Sequence, residues 1–409
     1  MKTYNFSSAI LRMFMATCLV FHLAACGIFI KKPIITQKTS LKKLDPADYP
    51  EFTDHLFFEH LGESIQRSLA YFHRIPPDRI FYFDDETFTT RHMIASLEVF
   101  QDFIRTKNPS KYELNQFISS NYLVFKSVGG NRKNEMLFTG YYEPVIQGSL
   151  SKSDEYCYPI YAVPPDLVRI DLSLFSSRFS GEKIVGRVSE NKVLPYYDRQ
   201  EIEQGGALAD SAEILAWTNN PIDLFFLQIQ GSGKIELEDG STLNIHYHAS
   251  NGHPYRSIGR LLIDEGKILK EQMSMQKIRE YLNENPNEVE RILNYNKSYV
   301  FFKLEANGPI GSLQEQLTEM RSIALDQRIF PRGALAYMET FRPEFDEVGQ
   351  IFDWIEFKGF VLHQDTGGAI RGPDRADLFW GSGPRAKLAA GHMQHPGTLY
   401  FLVLRPDKL

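Results

Sequence analysis

The stretch from Val361 to Gly383 reads V-L-H-Q-D-T-G-G-A-I-R-G-P-D-R-A-D-L-F-W-G-S-G, and it limits the possible folds more than any other part of the chain. Three aspartates, Asp365, Asp374 and Asp377, stand among five glycines with few large aliphatic side chains between them. Glycine tolerates positive φ and lets a backbone or a ligand approach closely. The spacing therefore predicts a shaped loop region and not a helix. Asp365 follows Val361-Leu362 as a residue at a strand end would, and Asp377 precedes Leu378-Phe379-Trp380, a short apolar run of strand character. A carboxylate at the lip of such a strand is partly desolvated, which raises its pKa and makes it a proton donor near neutrality. Judged by spacing alone, Asp–Gly clusters suit plain turns equally well.

The runs Gln364–Gly372 and Asp377–Gly383 resemble the three-aspartate (3D) domain that ends members of the membrane-bound lytic transglycosylase A (MltA) family. Four other stretches are similar to family signatures: Leu137–Pro144 with Tyr158–Tyr161 close behind, Leu224–Gly233, Tyr299–Lys303 and Asp326–Leu335. The resemblance implies a mainly β fold with helices (α+β). Residues 50–143 and 304–409 would form a double-psi β-barrel with a helical N-terminal part, residues 144–303 an inserted β-domain, and a sugar-binding groove would lie between them. It also implies cleavage of peptidoglycan glycan strands without a cofactor. The segment Ile268–Asn296 matches no family motif.

Composition narrows the alternatives. A net charge of −6 leaves no basic footprint for nucleic acid. Aromatic residues make up 13% of the chain, and filling of β cores accounts for most of them. Cys18 and Cys26 lie near the N-terminus, so Cys157 is alone in the body and no internal disulfide forms there. Residues 1–26 carry Lys2 and Arg12 and then an apolar run from Met13 to Ala25, too short to span a bilayer but suited to a signal peptide. The run closes on Leu23-Ala24-Ala25-Cys26-Gly27, which resembles a bacterial lipobox with Cys26 as the lipidated residue. A plain secretory signal cut after Ala25 is the alternative. Residues 27–49 read as a tether. Resemblance to Gram-negative lipoproteins places the protein on the periplasmic face of the outer membrane.

Along the body, Met93, Leu97, Phe100 and Ile104 recur at helical spacing, and another helix is predicted to end before Pro76-Pro77. Ser110 with Glu113 predicts a capping box at the start of a third helix. His73 and His92 read as surface or cap residues. Leu224–Gly233 reads as a strand that would point Gln228 and Gln230 to one face. Ser232 lies in the same signature, and Asp239-Gly240 reads as a hairpin turn. His246, Tyr247, His248 and His253 cluster, but no carboxylate or cysteine completes a metal-ligand set, so no metal is expected. Helices are predicted over 252–266, 278–282 and 285–293. Asp326 and Asp374 read as turn and loop acids. By resemblance, Thr139, Tyr141, Gln228, Gln230, Ser232, Gly367 and Gly368 would contact substrate.

Most glycosidases use two carboxylates. A lytic transglycosylase needs fewer protein groups, because the sugar's own C6 hydroxyl attacks its anomeric carbon at high effective concentration. One residue can protonate the leaving oxygen and then accept the C6 hydroxyl proton. The resemblance assigns both tasks to Asp377. Asp365, twelve positions earlier, would raise the pKa of Asp377 by its charge or orient it by a hydrogen bond. A water-using hydrolase and a non-catalytic peptidoglycan-binding lipoprotein are the competing readings.

Overall fold

Six strands close on themselves: β1 (Met136–Glu143), β2 (Ser322–Ala324), β3 (Leu335–Phe345), β4 (Ile351–Asp365), β5 (Arg375–Ser382) and β6 (Gln394–Leu404). This computed structural model describes residues 40–128, 135–209, 211–368 and 370–409. Cys26 and most of the expected tether lie outside these residues. Around the ring the order is β6-β3-β4-β2-β5-β1, and β1 pairs back onto β6. The β2/β4 and β1/β5 pairs are parallel, and the others are antiparallel. Closure removes the exposed edges that an open sheet would carry. The architecture is α+β with a closed six-stranded barrel, as the double-psi expectation requires.

The two-residue period of a strand decides what faces the core. Ala376, Leu378 and Trp380 of β5 are buried in the main core, so Arg375, Asp377 and Phe379 point to the opposite face. The helices Leu61–His73 and Thr90–Lys107 pack against β4 and β6. Met93, Leu97 and Phe100 form the predicted buried stripe, with Ile104 packed beside it. Ser110 and Glu113 form the predicted capping box. His92 differs from expectation. It is buried, with Nε2 2.6 Å from the Leu404 carbonyl, because its position on the helix turns it toward β6. The end of the predicted tether also differs: Leu41–Lys43 pairs with the strand Tyr122–Ser127, and Leu41 is buried.

A second sheet of six strands is drawn from residues 145–305, in the order 300–305, 242–250, 232–237, 145–149, 214–218, 158–161. Glu143 ends β1, and Val145 opens the first strand of this sheet. The Asp239-Gly240 turn forms as predicted, with Gly240 at φ +81°. Residues 258–264 are helical within the predicted 252–266, and the helices Met275–Glu284 and Pro286–Tyr295 cover the other two.

The predicted strand at 224–230 is a helix, Pro221–Gln230. The Asn220 side chain caps the amides of Ile222 and Asp223, Pro221 takes the first helical position, and Gly231 ends the helix at φ +82°. Ile222, Phe225 and Phe226 enter one core, while Leu224 and Leu227 enter another. A segment buried on nearly every side has no polar stripe, so periodicity alone cannot separate it from a buried strand. Residues two apart on a helix point about 200° apart, so Gln228 and Gln230 do not share a face.

Candidate active site

Asp377 is the third residue of β5, paired with Thr139 on β1 and with Ala324 on β2. Asp365 is the last residue of β4 and pairs with the same Ala324. The strand carrying Ala324 therefore separates the two acids, a span of two strand spacings, roughly 10 Å between Cα atoms. Their carboxyls are nonetheless near enough for the Asp377 charge to act on Asp365.

The two carboxyls are held differently. Asp365 Oδ1 accepts the backbone N–H of Ser312 (2.9 Å) and of Thr366 (2.8 Å). Ser312 is held in turn by Arg332, whose Nη2 donates to its carbonyl at 2.7 Å. Burial raises the Asp365 pKa to about 6, and the Asp377 charge adds to the rise against these hydrogen bonds. Asp377 Oδ1 accepts the Thr139 hydroxyl and, at 3.1 Å, Arg375 Nε. Arg375 Nε also reaches Thr139 Oγ1 at 3.2 Å. Burial raises the Asp377 pKa as well, and the charge and hydrogen bond of Arg375 offset part of that. Repulsion between the two carboxylates acts on both, and the pair disfavours double ionisation. Arg375 favours the charged form of Asp377, and the Asp377 charge raises the pKa of Asp365.

Tyr141, two residues beyond Thr139 on the same face of β1, packs its ring against Phe379 with centroids 5.2 Å apart. Its hydroxyl is buried and faces Asp365 in a contact too loose to count as a well-formed hydrogen bond; burial, and then the charges of Asp365 and Asp377, drive its pKa well up. The structure thus brings Thr139 and Tyr141 together with Asp365 and Asp377. Gly367 packs against Ile370, and Gly368 is exposed with open space where a side chain would begin. In this stretch positive φ occurs instead at Gly372, Gly381 and Gly383. Asp374 lies in the loop, where its carbonyl accepts the Leu137 N–H at 2.7 Å. Asp326 is the turn acid expected and also ties the loop down, accepting the Gly372 N–H at 2.9 Å. Burial alone would raise its pKa, but bonds from Arg328 and two backbone amides outweigh this and hold it at about 2.

The remaining predicted contacts are elsewhere. Gln228 is buried, and its Oε1 accepts Arg199 Nη2 at 2.5 Å, a structural role in the insert. Gln230 Oε1 accepts the Tyr142 N–H at 3.1 Å and so ties the helix to β1. Ser232 is buried in a strand opposite His246. Among the described residues no group of three or more His, Cys, Asp or Glu side chains is placed to hold a metal ion. Arg375 was not singled out from the sequence, although an arginine two positions before Asp377 in a strand shares its face. The Ser312 amide could not have been found, because any residue carries one.

Comparison with known proteins gives the family. Residues 137–303 match the MltA specific insert domain, and residues 321–403 match the 3D domain. Membrane-bound lytic murein transglycosylase A of Escherichia coli (strain K12) is 36% identical over 281 residues, 68% of each chain. The chain belongs to the MltA family. The Vibrio cholerae member is 33% identical over 279 residues, 68% of this chain and 67% of that one. A membrane-bound lytic murein transglycosylase from Agrobacterium tumefaciens superposes with a TM-score of 0.73 at 29% identity, covering 90% of this chain and 98% of the other. E. coli MltA with bound chitohexaose superposes at 0.68 and 29% identity, covering 91% and 96%.

Proposed function

We propose that the chain is a peptidoglycan lytic transglycosylase. It would cleave the β-1,4 bond between N-acetylmuramic acid and N-acetylglucosamine and leave a 1,6-anhydromuramoyl end. Membership of a family whose named members are lytic murein transglycosylases supports the activity. The observation that carries the chemistry is the pair of half-buried, mutually repelling carboxyls Asp365 and Asp377 on one face of the barrel. Such a pair holds one proton over a wide pH range and titrates as a unit.

Asp377 is the acid that donates to the leaving oxygen and the base that then accepts the C6 hydroxyl proton. Two side-chain donors, Thr139 and Arg375, fix its Oδ1, leaving Oδ2 without a partner among the described residues. Arg375 suits the charged form that the second half of the reaction requires. Asp365 is the proton reserve, and its charge, once formed, raises the pKa of Asp377 in turn. The higher pKa of Asp365, at about 6, favours a second reading in which Asp365 is the donor. The substrate path runs along this face toward the inserted sheet, with residues 144–303 as the second wall of a groove.

Digestion of purified sacculi, with product masses, tests the function. Release of anhydro fragments by the wild type and none by Asp377→Asn is the expected result. Products one water heavier identify a hydrolase, and binding to sacculi without release identifies a non-catalytic protein. Full loss in Asp365→Asn with activity kept in Asp377→Asn establishes the second reading. Among the described residues no helix is long and apolar enough to cross a membrane. Attachment through a lipid on Cys26 to the periplasmic face of the outer membrane is the anchoring we infer, and Cys26→Ala should move the protein to the soluble fraction.

A further inference from the structure

Arg375 makes both of its bonds in the site through one nitrogen. Its Nε donates to Asp377 Oδ1 at 3.1 Å and to Thr139 Oγ1 at 3.2 Å. Among the described residues, neither terminal nitrogen has a protein partner, and the side chain is 36% exposed. A lysine would suffice to place a positive charge beside a carboxylate. A guanidinium bound from its side keeps a planar pair of donors free, in the geometry that matches a carboxylate or carbonyl group. The free end stands on the same strand face as Asp377, two residues along, roughly 6.6 Å between Cα atoms. Tyr255, an exposed residue of the inserted segment, feels the Arg375 charge, so this end of the site is also where the insert comes near.

We propose that the free end of Arg375 binds the lactyl group of the muramoyl sugar at the scissile bond and thereby distinguishes peptidoglycan from glycans that lack this group. The inference rests on the transglycosylase reading above. In that reaction the attacked anomeric carbon, C1, belongs to the muramoyl ring, and the lactyl ether sits on C3 of the same ring. A group that meets C1 at Asp377 therefore carries a carboxylate, or the carbonyl of a peptide-bearing lactyl amide, close beside it. Arg375 is a cation on the same strand face as Asp377, bonded to it through Nε. It acts as a specificity residue through its terminal nitrogens and as a positioning residue for Asp377 through Nε.

Equilibrium binding in an Asp377→Asn background separates these roles, because nothing is turned over. Three ligands of equal length are compared: a muramoyl glycan with free lactyl carboxylates, the same glycan with peptide-bearing lactyl amides, and chitotetraose. Adding Arg375→Ala should weaken the free-carboxylate ligand about tenfold, as expected for loss of a charge-assisted hydrogen bond. The lactyl-amide ligand should weaken less, and chitotetraose should be unaffected. Arg375→Lys should recover part of the preference for the carboxylate ligand and little for the amide. Equal weakening of all three ligands, no weakening of any, or full preference retained by the Lys variant would each overturn the proposal. Since the readout is a ratio of affinities, it is independent of whether the wild type releases anhydro fragments from sacculi.

Discussion

The molecule carries a buried polar cluster in the inserted segment and a half-buried one on the barrel, and they have opposite characters. In the inserted segment, Arg199 is buried between the rings of Phe225 and Tyr299. Four of its five N–H donors are taken, by the Asn296 carbonyl (3.0 Å), Glu203 (2.7 Å), Gln228 (2.5 Å) and the Ser298 carbonyl (2.8 Å), and the amide nitrogen of Gln228 has no partner among the described residues. On the barrel, Asp365 and Asp377 are held on one oxygen each, Arg375 keeps its terminal donors, and the Tyr141 hydroxyl lacks a well-formed bond. A cluster whose buried charge is paired favours one local packing, because the alternatives leave that charge unpaired. An unsaturated cluster costs stability and is retained where a ligand completes it. Under the proposed function, the contrast puts Gln228 in the scaffold and Asp377 in the chemistry, although both lie in stretches that resemble family signatures.

The largest effect that could break this comparison is at Asp377. Asp377→Asn should lower fragment release about a thousandfold, within the range for a lost general acid and base, while the melting temperature stays within a few degrees of wild type. Near-normal turnover would remove the site from the barrel face. Arg199→Met tests the other cluster. It should cost about 3 kcal/mol of stability by leaving Glu203 and Gln228 unpaired, with turnover per folded molecule unchanged in a denaturation-corrected assay. A selective loss of turnover would give that cluster a catalytic share.

Asp365→Asn has two expected consequences. Turnover should fall by tens of fold, less than for Asp377→Asn. Stability should rise at pH 7, because the folded-state pKa of about 6 exceeds the ordinary carboxylate value. A carboxyl that binds its proton more tightly when folded loses stability as pH climbs from about 4 to above 6. The gain from removing it, about 1–3 kcal/mol, is therefore full above pH 6 and absent below pH 4, which denaturant titrations at pH 4 and pH 7.5 would detect. The smallest effect is on the pH profile. Wild-type activity should fall as pH rises past about 6 and the pair loses its shared proton. In Asp365→Asn that falling limb should move to lower pH, since Asp377 no longer has an anionic neighbour. A shift to higher pH would mean that Asp365 does not repel Asp377.

Much of this was legible in the residues. The amphipathic stripe at 93–104, the capping box at Ser110 and the Asp239-Gly240 turn depend on neighbours within a few positions, so local chemistry decides them. Asp365 and Asp377 could be marked from their glycine-rich setting and from the family pattern. The helix at 221–230 could not, because a segment buried on nearly every side shows no period. Nor could His92, whose burial depends on a strand more than three hundred residues later in the chain.

The sequence by itself determined which residue types could move a proton and where strands and turns would bracket them, since both follow from composition and short-range spacing. Only the tertiary structure decided the electrostatic surroundings of each carboxyl. They depend on the backbone amides of Ser312 and Thr366, on the guanidinium of Arg375 and on the distance across β2. Electrostatic coupling falls off with separation in space and is blind to separation along the chain, so no reading of spacing could have ranked the pair.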